Sequence, residues 1–149
     1  MQKTIESQLT ALNQLYKKQD TIYHNLALRF GLSDAAFWVL YAVYESDQTS
    51  SQYDLSNTWF YSKQTINSAV ATLVKIGFVQ LQKSTGARNR KVIVLTETGQ
   101  AFCTKAVTPL MEAEYKAFAQ FSKEEREQYL SVFQKMLDLL QIETQALGE

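Results

Sequence analysis

Ser62-Lys-Gln-Thr-Ile-Asn-Ser-Ala-Val-Ala-Thr-Leu-Val-Lys-Ile-Gly77 runs directly into Phe78-Val-Gln-Leu-Gln-Lys83. After the loop Ser84-Thr-Gly-Ala-Arg-Asn-Arg90 comes Lys91-Val-Ile-Val-Leu95, and this continuous stretch decides the fold. Ser62 reads as an N-cap. Ile66, Ala69, Val70 and Leu73 recur at i, i+3, i+4 and i+7, which predicts a helix with that face inward. Gly77 is its stop signal. Beyond it the period changes to two, with β-branched residues enriched in the second run. A helix followed by a hairpin with a basic tip is the expectation.

Working outward toward the N-terminus, a short helix over about Ser51 to Thr58 carries Tyr53 and Leu55 as its inward residues. Trp59-Phe60-Tyr61 makes a brief aromatic turn into the Ser62 helix, so the two helices form a helix-turn-helix. Glu45 to Ser51 has no hydrophobic period and reads as a polar connector. Before it, Ala35-Ala-Phe-Trp-Val-Leu-Tyr-Ala-Val-Tyr44 is apolar on almost every side, as a helix buried between layers must be; Ser33 or Asp34 caps it. The first helix carries Ile5, Leu9, Leu12, Tyr16, Tyr23, Leu26, Ala27 and Phe30 at spacings of three, four and seven, and Gly31 ends it.

Toward the C-terminus, Thr96 caps a fifth helix reaching about Gln120, with Ala101, Phe102, Ala106, Leu110, Ala113 and Phe118 as its apolar side. Pro109 lies inside it, removes one backbone hydrogen bond and predicts a kink. Ser122-Lys-Glu-Glu125 is a capping box that starts a sixth helix. That helix carries Leu130, Phe133, Met136, Leu137 and Leu140, plus Val132, Leu139 and Ile142, a stripe wider than one partner needs. The fold class expected is mainly α (α+β).

Composition agrees with one globular domain: 149 residues, 46% hydrophobic, 20% charged, with one proline and five glycines. No apolar run approaches the roughly 20 residues that span a bilayer, and Met1-Gln-Lys-Thr-Ile-Glu-Ser has no signal-peptide core. Cys103 and His24 are the sole residues of their types. They give neither an internal disulfide nor a four-ligand zinc site. A soluble, cytoplasmic protein without metal, cofactor or membrane attachment is expected.

The formal charge is zero, from 15 basic and 15 acidic residues. Taken alone this argues against a nucleic-acid binder. Its distribution argues the reverse. Between Asp54 and Glu97 there is no acidic residue, yet Lys63, Lys75, Lys83, Arg88, Arg90 and Lys91 all fall there. The segment carries +6 and the rest of the chain −6.

On the decisive helix, the side opposite the core is Gln64, Ser68, Ala71 and Lys75, flanked by Thr65, Asn67 and Thr72. These side chains are short, mostly able to donate and accept, and include no carboxylate. That suits a major groove, where base edges offer donors and acceptors and phosphates repel acids. An ordinary solvated face would alternate Glu and Lys to gain i,i+4 pairs. Gln64, Asn67 and Ser68 are the candidates for base edges. Lys63, Thr65 and Lys75, with Ser62 at the helix start and Arg88, Arg90 and Lys91 on the hairpin, are candidates for phosphate, sugar or minor-groove contacts.

Asp54-Leu55, Ser62-Lys-Gln-Thr-Ile, Leu73-Val-Lys-Ile-Gly77-Phe-Val79, the basic loop and Leu95-Thr96-Glu-Thr-Gly99 together resemble the core of the MarR family of winged-helix transcription regulators. The Leu-Thr-x-x-Gly at the hairpin exit is the most specific piece. Where that family usually carries an Asp-x-Arg triplet, Ala87-Arg88-Asn89 stands in the ungapped register, so Arg88 or Arg90 takes the groove contact. The resemblance covers residues 1–149 as a single MarR-like domain, with a winged helix-turn-helix lobe over 33–99 and dimerisation helices over 1–30 and 100–146. It implies a homodimer with the first and last helices packed together, two recognition helices reading a pseudo-palindromic double-stranded operator, and ligand-responsive repression.

The resemblance further implies a small aromatic or amphipathic effector, with Tyr16, Tyr23 and His24 of the first helix and Phe37, Trp38 and Tyr41 of the second lining its crevice. The same aromatic spacing also describes a plain core face. Cys103 reads as a buried structural thiol, with a redox switch as the competing reading. No phosphate loop, Gly-x-Ser-x-Gly elbow or His-Glu-x-x-His is present, so no enzyme is expected. The alternatives are a winged-helix protein-interaction module without specific DNA binding, or a small cytosolic enzyme.

Overall fold

A computed structural model describes residues 4–46, 49–59, 61–83 and 91–148. The chain forms α1 (Ile5–Arg29), α2 (Asp34–Glu45), β1 (Thr49–Ser51), α3 (Gln52–Trp59), α4 (Lys63–Lys75), β2 (Val79–Lys83), β3 (Lys91–Leu95), α5 (Glu97–Phe118) and α6 (Lys123–Gln145). A short 3-10 turn follows over Ala146–Gly148. It is a mainly α fold with one small antiparallel sheet, the α+β class expected.

Contacts divide the chain into two compact units, Met1–Thr108 and Pro109–Glu149. The division falls at the one proline, inside α5. In the first unit, α2 is the central element: Ala36, Phe37, Val39, Leu40, Ala42 and Val43 are all buried. The rest of this unit's core includes Ile66, Val70 and Leu73 of α4, Val79 and Ile93 of the sheet, and Cys103 and Val107 of α5. A helix apolar on nearly all sides is stable only with neighbours on all sides. Tyr44 reaches out of this core, its hydroxyl 2.9 Å from that of Thr108.

Three details differ from the sequence reading. The stretch read as a polar connector contains β1, which pairs with β3 (Thr49 with Val94, Ser51 with Val92) and makes the sheet three-stranded in the order β1-β3-β2. Three residues are too few to show a period, and backbone pairing needs no particular side chain. Tyr53, expected inward, is 52% exposed while Leu55 is buried; two residues two apart on a helix lie about 200° apart, so they do not share a face. On α5 the buried residues are Gly99, Cys103, Ala106 and Val107, whereas Ala101 is exposed.

The second unit holds the end of α5 and all of α6. Ser122 caps α6 by accepting the Glu125 N–H at 3.1 Å, and Phe118 meets Phe121 and Tyr129 edge-on. No residue of α6 is buried. Leu130, Val132, Leu137, Leu139, Leu140 and Ile142 are 43–65% exposed. Ile5, Leu9, Leu15, Ile22 and Leu28 stand exposed on α1 as well. Among the described residues no single helix is long and apolar enough to cross a membrane.

Candidate nucleic-acid interface

The rotation of α4 is fixed from below. Ile66, Ala69, Val70 and Leu73 are buried, so Gln64, Asn67, Ser68, Ala71 and Lys75 are exposed. Its start is fixed by Ser62, whose Oγ accepts the Thr65 N–H at 3.1 Å and lies 2.8 Å from the Thr65 hydroxyl. Ser62 and Thr65 thus spend their hydroxyls on the cap. Its end is fixed by a Schellman motif. Gly77, at φ +85°, donates to Val74 O, and Phe78 donates to Leu73 O at 2.9 Å. That reversal feeds the chain straight into β2.

The hairpin adds a second set of cations. β2 and β3 pair antiparallel with Lys83 directly opposite Lys91. Like charges facing each other across strands are destabilising. Among the described residues the ion pairs are His24–Asp34 and Lys123–Glu127, so Lys63, Lys75, Lys83 and Lys91 have no carboxylate neutralising them there. Arg88 and Arg90 lie outside the described residues.

Between α4 and the sheet runs an open groove of about 570 Å³. Lys63, Asn67 and Ala71 of α4, Leu81 and Lys91 of the sheet and Tyr53 of α3 are among the residues that line it. Among the described residues no carboxylate lines it. The sequence reading singled out Lys63, Asn67, Ala71 and Lys91, but missed Leu81 and Tyr53. Leu81 was hidden because strand alternation alone does not tell a core position from a groove position; Tyr53 was betrayed only by its angular offset from Leu55.

A second crevice, of about 630 Å³, is lined by Tyr23, His24 and Trp38 together with Lys17, Asp34 and Tyr61. The rings of Tyr23 and Trp38 are 4.9 Å apart, and His24 Nδ1 lies 2.8 Å from Asp34 Oδ1. The Tyr61 phenol is raised above its ordinary range by burial and then by the Asp34 carboxylate. Of the other residues assigned to this crevice, Phe37 is 1% exposed and stacks on Phe30 in the core. Tyr41 packs on Trp38 and Trp59, and Tyr16 is half-buried on α1. Neither lines the crevice. Cys103 is fully buried, and burial pushes its thiol up to about 12. Among the described residues no group of three or more His, Cys, Asp or Glu is placed to hold a metal ion.

A capped recognition-type helix presented by a buried face, an antiparallel hairpin immediately after it and a preceding short helix define a winged helix-turn-helix protein. Residues 30–88 match the model of the MarR family. The fold over most of the chain is that of solved MarR-type structures. A MarR family regulator from Neisseria meningitidis is 23% identical, with a TM-score of 0.73 over 95% of this chain and 99% of that one. A MarR family transcriptional regulator from Listeria monocytogenes, solved with a 26mer DNA, is 18% identical, with a TM-score of 0.70 over 94% of this chain and 90% of that one. An organohalide-sensing transcriptional regulator in its 2,4-dichlorophenol-bound form is 15% identical, with a TM-score of 0.67 over 91% of this chain and 82% of that one. A comparison with curated protein sequences finds no match.

Proposed function

We propose that this protein is a sequence-specific double-stranded DNA-binding transcription regulator, a homodimeric repressor that occludes polymerase and responds to a small aromatic or amphipathic ligand. The observation that carries the reading is the exposed face of α4, free of carboxylates and continuous with a hairpin whose paired lysines face each other. Gln64, Asn67 and Ser68 read base edges; Lys63, Lys75, Lys91, Arg88 and Arg90 bind phosphate or the minor groove; Ser62 and Thr65 hold the helix start against the backbone. Residues 33–99 form the DNA-binding lobe, and residues 1–30 and 100–146 the dimerisation helices.

Support for the dimer comes from the exposed apolar residues of α1 and α6, since single soluble subunits rarely leave large apolar patches to water. Support for the effector comes from the crevice at Tyr23, His24 and Trp38 and from the dichlorophenol bound by one structural relative. A cytoplasmic location is part of this reading.

Each subunit offers six cations in the acid-free segment. If half of them make contacts, a dimer neutralises about six phosphates and the log–log dependence of affinity on salt has a slope near −5. Fluorescence anisotropy with duplex from its own promoter, titrated at several KCl concentrations, tests this. A slope near zero, or no preference for that duplex over unrelated DNA, refutes the proposal and favours a protein-interaction module.

A further inference from the structure

The groove between α4 and the hairpin has a consequence for how DNA is seated, and it rests on the DNA-binding reading above. When a helix occupies the major groove and the following hairpin reaches the adjacent minor groove, one sugar–phosphate strand separates the two. That strand must pass between helix and hairpin. In this protein the place it passes is the groove of about 570 Å³ lined by Lys63 and Asn67 of α4 and by Leu81 and Lys91 of the sheet.

The lining is two-toned. Lys63 on α4 and Lys91 on the sheet are suited to phosphate oxygens of one strand. The same lining includes apolar Leu81, 39% exposed, together with Ile66 and Val70, which are buried. Leu81 shares its strand face with buried Val79 and sits opposite fully buried Ile93. It is therefore the outermost residue of the core, uncovered at the groove. A purely electrostatic surface would have no use for a leucine there. A deoxyribose has charged phosphates at its ends and an apolar C–H face between them, and matches a lining that combines two cations with an exposed leucine. We infer that Leu81 is a DNA-contact residue: its side chain packs on the deoxyribose face of the strand that separates the two grooves, with Lys63 and Lys91 holding the flanking phosphates. Tyr53, which lines the same groove, adds to this contact.

The contact is separable from the cationic ones because it releases no counterions. Leu81→Ser is expected to weaken duplex binding about tenfold at every KCl concentration with the salt slope unchanged, whereas Lys91→Ala, which removes one phosphate contact from each subunit of the dimer, makes the slope shallower by about 2. Leu81→Met, which keeps an apolar side chain, loses less affinity than Leu81→Ser. Hydroxyl-radical footprinting of the wild-type complex, which reads the exposure of deoxyribose hydrogens and requires no variant, shows a short protected run on one strand between the major-groove half-site and the flanking minor groove. Wild-type affinity in Leu81→Ser, or cleavage of those sugars as in free DNA, overturns the inference while leaving DNA binding intact. Absence of duplex binding by the wild type overturns the functional reading itself, which distinguishes the two failures.

Discussion

Gly99 lies so close beneath Phe78 that a Cβ added to it would stand 1.9 Å from the Phe78 carbonyl oxygen and 2.8 Å from its carbonyl carbon. That same oxygen accepts the Thr96 N–H at 3.0 Å. The Thr96 hydroxyl donates to Gly77 O and accepts the Gly99 N–H. Leu95-Thr-x-x-Gly99 is thus a clasp: one hydroxyl ties the start of α5 to the end of α4, across the root of the hairpin. The relation explains why the pattern needs threonine first and glycine three residues on. It also says what aims the hairpin relative to the recognition helix.

Gly99→Ala forces the obstructing backbone to move, since the nearest atoms are not the tip of a flexible side chain. The expected cost is about 2–3 kcal/mol or more. Thr96→Val, which removes both hydrogen bonds of the hydroxyl, costs about 1–2 kcal/mol. Urea unfolding followed by circular dichroism measures both. Gly99→Ala with wild-type stability would show that the clasp is looser than described.

Gln64 is exposed on the face of α4 set by Ile66 and Val70. Its amide can both donate and accept, as recognition of an adenine edge requires. Gln64→Ala is expected to relax specificity at one operator position by about 1–3 kcal/mol, with little change in binding to unrelated duplex. Competition binding against a library randomised one base pair at a time reads this directly. Unchanged preference at every position means that another part of the helix does the reading.

The exposed side chains of α6 predict an assembly. Leu137 and Leu140 are 43% and 47% exposed, three apart and so neighbours on one face. Carboxylates placed in a dimer interface remain unpaired there, but on a free helix they meet water. The double substitution Leu137→Glu with Leu140→Glu should convert a dimer to a folded monomer in sedimentation equilibrium. Affinity for a two-half-site operator should fall by about 10²–10⁴, because the second lobe no longer binds at high effective concentration. A wild-type monomer at micromolar concentration would remove the basis for half-site recognition.

The sequence announced most of this architecture for identifiable reasons. Ser62, Gly77, Thr96 and Ser122 act through their own backbone neighbourhood, so caps and stops are visible without a fold. The core face of α4 is visible because four residues repeat a helical period. What the sequence concealed depends on partners distant along the chain. β1 exists because Ser50 meets Ile93, and the facing of Lys83 and Lys91 follows from a register that no local pattern encodes. Phe37 and Trp38 are adjacent, yet Phe37 faces the core and Trp38 the crevice. Aromatic spacing alone could not divide those roles.

Cys103 supplies a prediction about alkaline stability. Its thiol is fully buried, and the loss of hydration raises its pKa from an ordinary 9.0 to about 12. Above pH 9 the unfolded chain releases this proton while the folded chain keeps it. The folded state then binds more protons, so stability falls as pH rises, by up to about 1.4 kcal/mol per pH unit until about pH 12. Tyr61, also raised, acts in the same direction at higher pH. Cys103→Ala removes the thiol contribution, so urea midpoints at pH 8 and pH 10.5 should differ less in the variant than in the wild type. The same burial makes the thiolate scarce and inaccessible. Peroxide should therefore leave DNA binding intact, and a thiol reagent should react only at the rate of unfolding. Two pH profiles that run parallel, or loss of DNA binding on oxidation of the wild type but not of Cys103→Ser, would mean that the thiol reaches solvent in the native state.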